Sequence, residues 1–504
     1  MADRVSYAAY PAAVIYSEPR EGRTKGRSKD AVQHLIWGDE VTVHGQRGPW
    51  CEVTGRRVKG WMHESFLQPE SLLEVNFVDI GQGDGCILGT PDKEYLVIDA
   101  GEGDNMFRFL RWRFRGFKDE YHFKAAIITH PDQDHYFGFK HLFEHEKVHF
   151  ETIYHNGIVE RTGDDTLGSS MTEPGSGRTY LNGLVETLDE LKAITDDDEL
   201  RGRKRYPNLM KSAVESGRVG DIRSLWASDA YVPGFEADKA LSLEVLGPVT
   251  ETPDGADGKP CLRWFDDARG NPNKGMTKNG HSVVLRLTYK NVSMLLGGDL
   301  NIPAERYLLN RYTGLPVPAH SSVEEEELVA TARHTFGVDI AKACHHGSAD
   351  FSEVFLRSLN AVATVISSGD NESHSHPRPD TLGALGRYGR GARPLIFSTE
   401  LARSAKENIK SPFQLHNRLM SLQKAVNDAT TEAEREDAQE EFEAAVRALE
   451  RSVAVYGMIT VRTDGEKVLF AQKLEKPRSK GRKWDLYRLE PGASGRLRYK
   501  SKHH

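Results

Sequence analysis

The chain lacks every feature that would mark it as membrane-spanning, secreted or disulfide-stapled. No apolar run approaches the roughly 18 residues that a membrane-crossing helix needs. The longest, such as Ala125–Ile128, are strand-sized. The N-terminus has none of the basic, apolar and small-residue succession of a secretory signal. Cysteine is scarce, and Cys51, Cys86, Cys261 and Cys344 lie far apart with no Cys-x-x-Cys pair. This excludes a cysteine-rich zinc module and predicts reduced thiols in a cytoplasmic protein with no membrane association. A basic excess is missing too: 67 Lys and Arg face 74 Asp and Glu, for a net charge of −7. A globally basic nucleic-acid binder is thereby excluded, whereas a local basic patch is not.

What is present is a globular composition, 38% hydrophobic and 28% charged over 504 residues. At roughly 100–200 residues per domain, that length allows two to four domains. Residues 1–70 read as a small β module, with short β-rich runs at Val14–Tyr16, Glu40–Val43, Cys51–Thr54 and Gly60–Met62 between turns. Residues 71–400 alternate strands and helices, which predicts a layered α/β domain. Within it, residues 156–240 are rich in Gly, Asp, Ser and charge and read as an insertion lying over the site. Residues 401–504 predict a pair of long helices over 402–452, a β-hairpin turning at Thr463–Glu466, and a basic tail. From Lys473 onward that tail has eleven Lys and Arg against three Asp and Glu.

The chemistry concentrates in His130-Pro131-Asp132-Gln133-Asp134-His135, directly after an apolar strand. Loops at the carboxyl ends of strands are where α/β sheets place ligands. Two imidazoles and two carboxylates this close would compete for solvation unless a metal neutralised them. Asp99, Asp299, His345/His346 and His374/His376 repeat the design, each following an apolar strand and a short turn. Carboxylate oxygen and imidazole nitrogen are the donors that divalent metals take. Any one of these residues alone would read as a cap or turn; together they read as a metal centre.

These residues resemble the metallo-β-lactamase superfamily, and more closely the metallo-β-lactamase domain of ComEC-type DNA-uptake proteins and their soluble relatives. The resemblance is carried by Phe77-Val78-Asp79-Ile80-Gly81-Gln82-Gly83-Asp84, by Leu96-Val97-Ile98-Asp99-Ala100-Gly101 and by the main His/Asp motif. It continues through Asn279-Gly280-His281-Ser282-Val283-Val284-Leu285, Leu296-Gly297-Gly298-Asp299, Lys342-Ala343-Cys344-His345-His346-Gly347-Ser348 and the turn 367–379. It implies an αββα sandwich, two face-to-face sheets with helices outside, over about residues 72–400. Two departures stand out. The third motif position is Asp132 rather than His, and the membrane-spanning part of ComEC is absent. Separately, Gly48-Pro49-Trp50-Cys51-Glu52-Val53 and Gly60-Trp61-Met62-His63 resemble the closing half of a bacterial SH3-like barrel. Such a module docks a partner or a neighbouring domain, and Trp50 and Trp61 also suit a plain core.

The resemblance implies a pair of divalent ions, Zn²⁺ or Mn²⁺, held by His130, Asp132, Asp134, His135, Asp299 and His345. Asp299 would bridge them, and Asp134 would also orient the attacking water. Asp99 and Asp84 would support the ligands from behind. His346 and His376 would act on the substrate, with Lys342, Ser348 and His374 contacting it. Of the two adjacent histidines, His345 is favoured as the ligand and His346 as the one facing the substrate.

Two metals would activate a water for hydrolysis. The first expectation is a phosphodiesterase or nuclease acting on DNA. Its local support is Arg108, Arg111, Arg113, Arg115 and Lys118 interleaved with Phe107, Phe109, Trp112, Phe114 and Phe117, a pattern suited to phosphates and stacked bases. The same pattern also describes an amphipathic helix packed on a sheet. The alternatives are a hydrolase of a small ester (cyclic nucleotide, lipid phosphodiester or lactone) and an enzyme gated by a protein partner through the N-terminal module or the C-terminal helices.

Overall fold

The computed structural model describes residues 3–369, 375–399, 412–454, 457–474, 477 and 479–501. The chain forms a mixed α/β structure whose two large sheets face each other. The first has ten strands in the order Val219–Ser224, Val148–His155, Tyr121–Ile128, Tyr95–Ala100, Gly85–Gly89, Leu73–Phe77, Ile459–Thr463, Val468–Lys473, Trp484–Pro491 and Leu497–Lys500. The second has six, in the order Leu241–Gly247, Val284–Tyr289, Val292–Leu296, Ile340–Lys342, Ala363–Ile366 and Leu395–Ser398. Each sheet mixes a parallel half with an antiparallel half.

Side-chain alternation along the strands assigns the layers. Leu96, Ile98 and Ile127 of the first sheet and Leu243, Leu285, Leu287 and Val365 of the second share one core between the sheets. The intervening residues Val97, Ala126 and Ile128 turn outward onto helices Asn105–Arg113 and Arg205–Glu215, meeting Met106, Phe109, Tyr206 and Met210. On the far side, Val284 and Leu295 pack against Leu308, Ala332, Phe336 and Phe355 from three further helices.

Two sequence expectations change. First, the C-terminal hairpin of Ile459–Thr463 with Val468–Lys473 forms, but it is part of the large sheet rather than an appendage. Ile459–Thr463 pairs antiparallel with Leu73–Phe77 in the middle of the ten-stranded sheet. Both strands are buried along their whole length, which is how a central strand reads. Second, the insertion is partly structural: its last strand, Val219–Ser224, is the edge of that same sheet, and helix Arg205–Glu215 covers it. Its first part adds the strands Ser170–Thr172 and Thr179–Leu181. The basic-aromatic helix Asn105–Arg113 uses its aromatics for packing, in line with the amphipathic-helix reading of that pattern. Phe109 and Phe117 are fully buried, and Phe107, Trp112 and Phe114 pack against the same core. Guanidinium groups nearby are partly consumed by ion pairs, Arg108 with Asp104 and Arg113 with Glu74.

Residues 4–68 form an all-antiparallel sheet of seven strands with a small core of Ile15, Leu35, Val41, Val53 and Met62. Trp50 is buried, its indole N–H donating to the Arg20 carbonyl at 3.1 Å. This sheet docks on the C-terminal strands of the same chain. Buried Arg462 donates to the Trp37 carbonyl at 2.6 Å, to Asp39 at 2.9 Å and to Glu74 at 2.7 Å. Tyr10 donates to Glu490, and the Lys483 N–H to His34. Helices Pro412–Asp428 and Glu432–Ala454 pair with each other, and the second also meets helix Asn105–Arg113. Among the described residues, no helix is long and apolar enough to cross a membrane. All four cysteines are free thiols.

Candidate metal centre

The predicted residues come from the carboxyl ends of strands in both sheets and meet at one edge of the sandwich. Strand Tyr95–Ala100 carries a register shift at Asp99, which adopts φ 54°. Such a bulge re-aims a side chain. Here it turns the Asp99 carboxylate onto the next strand end. One oxygen accepts the Thr129 N–H at 2.8 Å; the other accepts the Thr129 hydroxyl at 2.7 Å and meets His135 Nδ1 at 2.8 Å. The turn Gly81–Asp84 presses on the His/Asp loop from the other side. A Cβ on Gly83, which has φ 102°, would stand 1.8 Å from the Asp134 carbonyl, so only glycine fits.

Asp299 is the hub. Its Oδ2 lies 3.3 Å from His135 Nε2, 3.2 Å from His346 Nε2 and 3.9 Å from His345 Nε2. His346 Nε2 is also 3.5 Å from Asp134 Oδ2. Asp84, His135, Asp299 and His346 each offer a ligand atom within 4.8 Å of the others. His130 stands beside this group, its ring centroid 4.1 Å from that of His135 and its Nε2 3.6 Å from Asp132 Oδ2.

Behind each buried imidazole, a partner engages Nδ1. Asp99 holds His135, Asp84 holds His346 at 3.1 Å, and the hydroxyls of Thr129 and Ser282 lie 3.2 Å from His130 Nδ1. Such contacts fix the ring and leave Nε2 as the ligating atom. The Nε2 atoms of His130, His135 and His346 and the Oδ1 of Asp299 are indeed buried with no hydrogen-bond partner. Unpartnered buried nitrogens facing a carboxylate are an arrangement that a cation satisfies, so the residues present fit a divalent metal.

Electrostatics agree. Burial opposes the charged form of His135, but Asp299 and Asp99 outweigh it and hold its pKa well above the ordinary imidazole value. His346 is held up against burial in the same way by Asp299 and Asp84. Burial likewise opposes ionised Asp299, yet His346, His135 and His345 hold it well below the usual carboxylate range. Burial works against ionised Asp132 too; His130 and Lys278 bring it down to about 2. The carboxylates thus favour positive charge at these rings, the sign of charge that a metal would bring.

The adjacent histidines are placed the other way round from the sequence expectation. His346 is buried with Nε2 on Asp299 and Asp134, whereas His345 is a quarter exposed and further from Asp299. Both take left-handed backbone, φ 48° and 53°, and that turn swings the second ring inward. Lys342, expected on the substrate, is instead buried behind the cluster. Its ammonium pairs with Asp84, donates to the Gly298 carbonyl at 2.9 Å and lies 3.9 Å from Asp299. Ser348 closes the same turn, its hydroxyl accepting the Asp350 N–H. His376 sits at the mouth, its ring 5.8 Å from His345 and 6.1 Å from His346. His374 lies outside the described residues.

Four contributors escaped the sequence reading as site residues: Thr129, Ser282, Lys278 and Glu160. Ser282 accepts the Asp299 N–H at 3.0 Å while contacting His130, so it ties the two sheets together at the site. Its signal was its place in the Asn-x-x-Ser segment. Lys278 pairs with Asp132 and, at 3.3 Å, with Glu160 of the insertion. A lone Lys and Glu 118 residues apart carry no local signal.

No protein-family model matches the chain. Over 332 residues, 62% of its length, it is 24% identical to ComE operon protein 3 of Bacillus subtilis (strain 168). The match covers 31% of that protein, so the chain spans about a third of the relative it resembles.

Proposed function

We propose that the chain is a metal-dependent hydrolase of the metallo-β-lactamase type, acting on phosphodiesters with DNA as the first candidate substrate. The observation that carries this reading is that the unpartnered Nε2 atoms of His135 and His346 converge on Asp299, with the unpartnered Nε2 of His130 on the ring beside them, at strand ends from both sheets. His130 and Asp132 would form one half of the metal-binding set, and His135, His346 and Asp134 the other, with Asp299 between them. A divalent ion held there supplies Lewis acidity and makes water acidic enough to attack near neutral pH.

The chain's own groups do the rest. Asp99, Asp84 and Ser282 hold the three rings so that Nε2 faces inward. Asp134, whose carboxylate is held low against burial by His346 and His135, is ionised and only partly exposed. Its Oδ2 is the group placed to orient a water and take its proton. His345, kept neutral by burial, and His376 flank the mouth, where a leaving oxygen would emerge. Similarity to ComE operon protein 3 favours a nucleic-acid substrate. The burial of the aromatics around helix Asn105–Arg113 favours a small ester instead, because it removes the stacking platform.

The test is to strip the protein, reload it with Mn²⁺ or Zn²⁺, and offer DNA, RNA and bis(p-nitrophenyl) phosphate. D134A/H135A is the control. Metal-dependent cleavage of a polymer, lost in the variant, supports the nuclease. Cleavage of the small diester alone moves the assignment to the small-ester hydrolase. No cleavage with metal bound overturns both.

A further inference from the structure

At the opposite end of the strands that carry the candidate centre, three more ligating side chains meet. His122 and His149 are partners across neighbouring parallel strands. Their rings stack with centroids 4.5 Å apart and planes 19° from parallel. Glu120, on the loop entering strand Tyr121–Ile128, brings a carboxylate oxygen 4.0 Å from His122 Nε2. One ligand atom from each of the three lies within 4.8 Å of the others. His149 Nε2 is shielded from solvent and has no hydrogen-bond partner. A buried polar atom left unpaired is costly, so a native structure normally supplies it with a partner.

We propose that Glu120, His122 and His149 form a separate surface site for a borderline divalent cation, Zn²⁺ above all. Two imidazoles and one carboxylate suit Zn²⁺ far better than Mg²⁺ or Ca²⁺, which take oxygen ligands. Zn–N bonds of about 2.0–2.1 Å place tetrahedral ligand atoms about 3.3 Å apart. The exposed side chains of Glu120 and His122 are free to close that distance on half-buried His149. Three protein ligands leave a fourth position for water. His122 is eight residues before His130, about 26 Å along an extended strand, so the site lends no ligand to the candidate centre. Its effect is mechanical. It fastens the loop after helix Asn105–Arg113 to strand Val148–His155. The proposal is independent of the hydrolase reading.

The experiment counts zinc. Full-length protein and H122A/H149A are stripped with chelator, titrated with Zn²⁺ alone and measured by elemental mass spectrometry. Circular dichroism of the stripped forms verifies that both are folded. The wild type should bind one equivalent more than the variant and show a larger Zn²⁺-dependent rise in Tm. E120Q should weaken that equivalent roughly tenfold without abolishing it. Equal stoichiometry and equal Tm shifts in wild type and H122A/H149A would overturn the site. Because the readout is a difference, it holds whether or not the candidate centre binds metal or turns over a substrate.

Discussion

Asp99 Oδ2 lies 2.8 Å from Nδ1 of His135, while the Nε2 of that ring lies 3.3 Å from Asp299. One imidazole is thus held between two carboxylates, one supporting and one facing the site. D99N keeps the size of the side chain but loses the charge that sets the ring. Metal affinity should fall about 10–100-fold, as for other supporting carboxylates. Calorimetric titration of the stripped protein reads it directly; an unchanged affinity would remove Asp99 from the supporting role.

Ser282 joins the Asp299 backbone to the His130 ring. S282A leaves a buried N–H unpaired and should cost about 1–3 kcal/mol in the folded state. It should also lower metal affinity about tenfold by freeing His130 to rotate. Denaturant unfolding and metal titration measure the two effects separately.

Lys342 distinguishes a buried ion pair from a substrate contact. In K342M two buried carboxylates, Asp84 and Asp299, lose their cation. The stripped variant should lose about 3–5 kcal/mol of stability. Added divalent metal should restore part of it, because the ion replaces the missing charge. A variant that unfolds normally but shows only a raised KM would return Lys342 to the substrate.

The junction of the N-terminal sheet with the C-terminal strands should be acid-sensitive. Burial raises the pKa of Glu74, but Arg462 and Arg113 bring it down from 4.5 to about 2. A lowered carboxylate stabilises fully above its unfolded value and loses that contribution as pH falls through its folded one. The linkage is worth on the order of 3 kcal/mol at neutral pH and should vanish between roughly pH 4.5 and 2. E74Q should show a flatter stability–pH profile over that window in circular dichroism.

Much of the site is legible in the sequence because each strand end carries its own short signal: Asp99, the His130–His135 loop, Asp299 and the double histidine. Strand runs such as Leu73–Phe77 and Val284–Tyr289 are legible for the same reason, since apolar periodicity is local. What sequence does not carry is pairing between distant segments. Ile459–Thr463 reads as a strand, but its partner is some 390 residues upstream and nothing local names it. Lys342 shows the same limit. A lysine next to a histidine motif suggests a phosphate contact, and only the burial of Asp84 in the distant turn Gly81–Asp84 makes it an internal counter-charge. His345 and His346 differ by a backbone turn that their identities do not encode.

The central place of Ile459–Thr463 has a consequence for how the protein is made. Ile459–Thr463 is made some 390 residues after Leu73–Phe77, long after the flanking strands on one side have emerged. Until then the edge of Leu73–Phe77 offers unpaired backbone groups, the kind of edge that recruits other chains. A fragment ending at residue 400 keeps every candidate ligand yet leaves that edge open. Such a fragment should aggregate rather than fold, which light scattering of the purified fragment would read, and the nascent chain should expose the same edge until Ile459–Thr463 emerges.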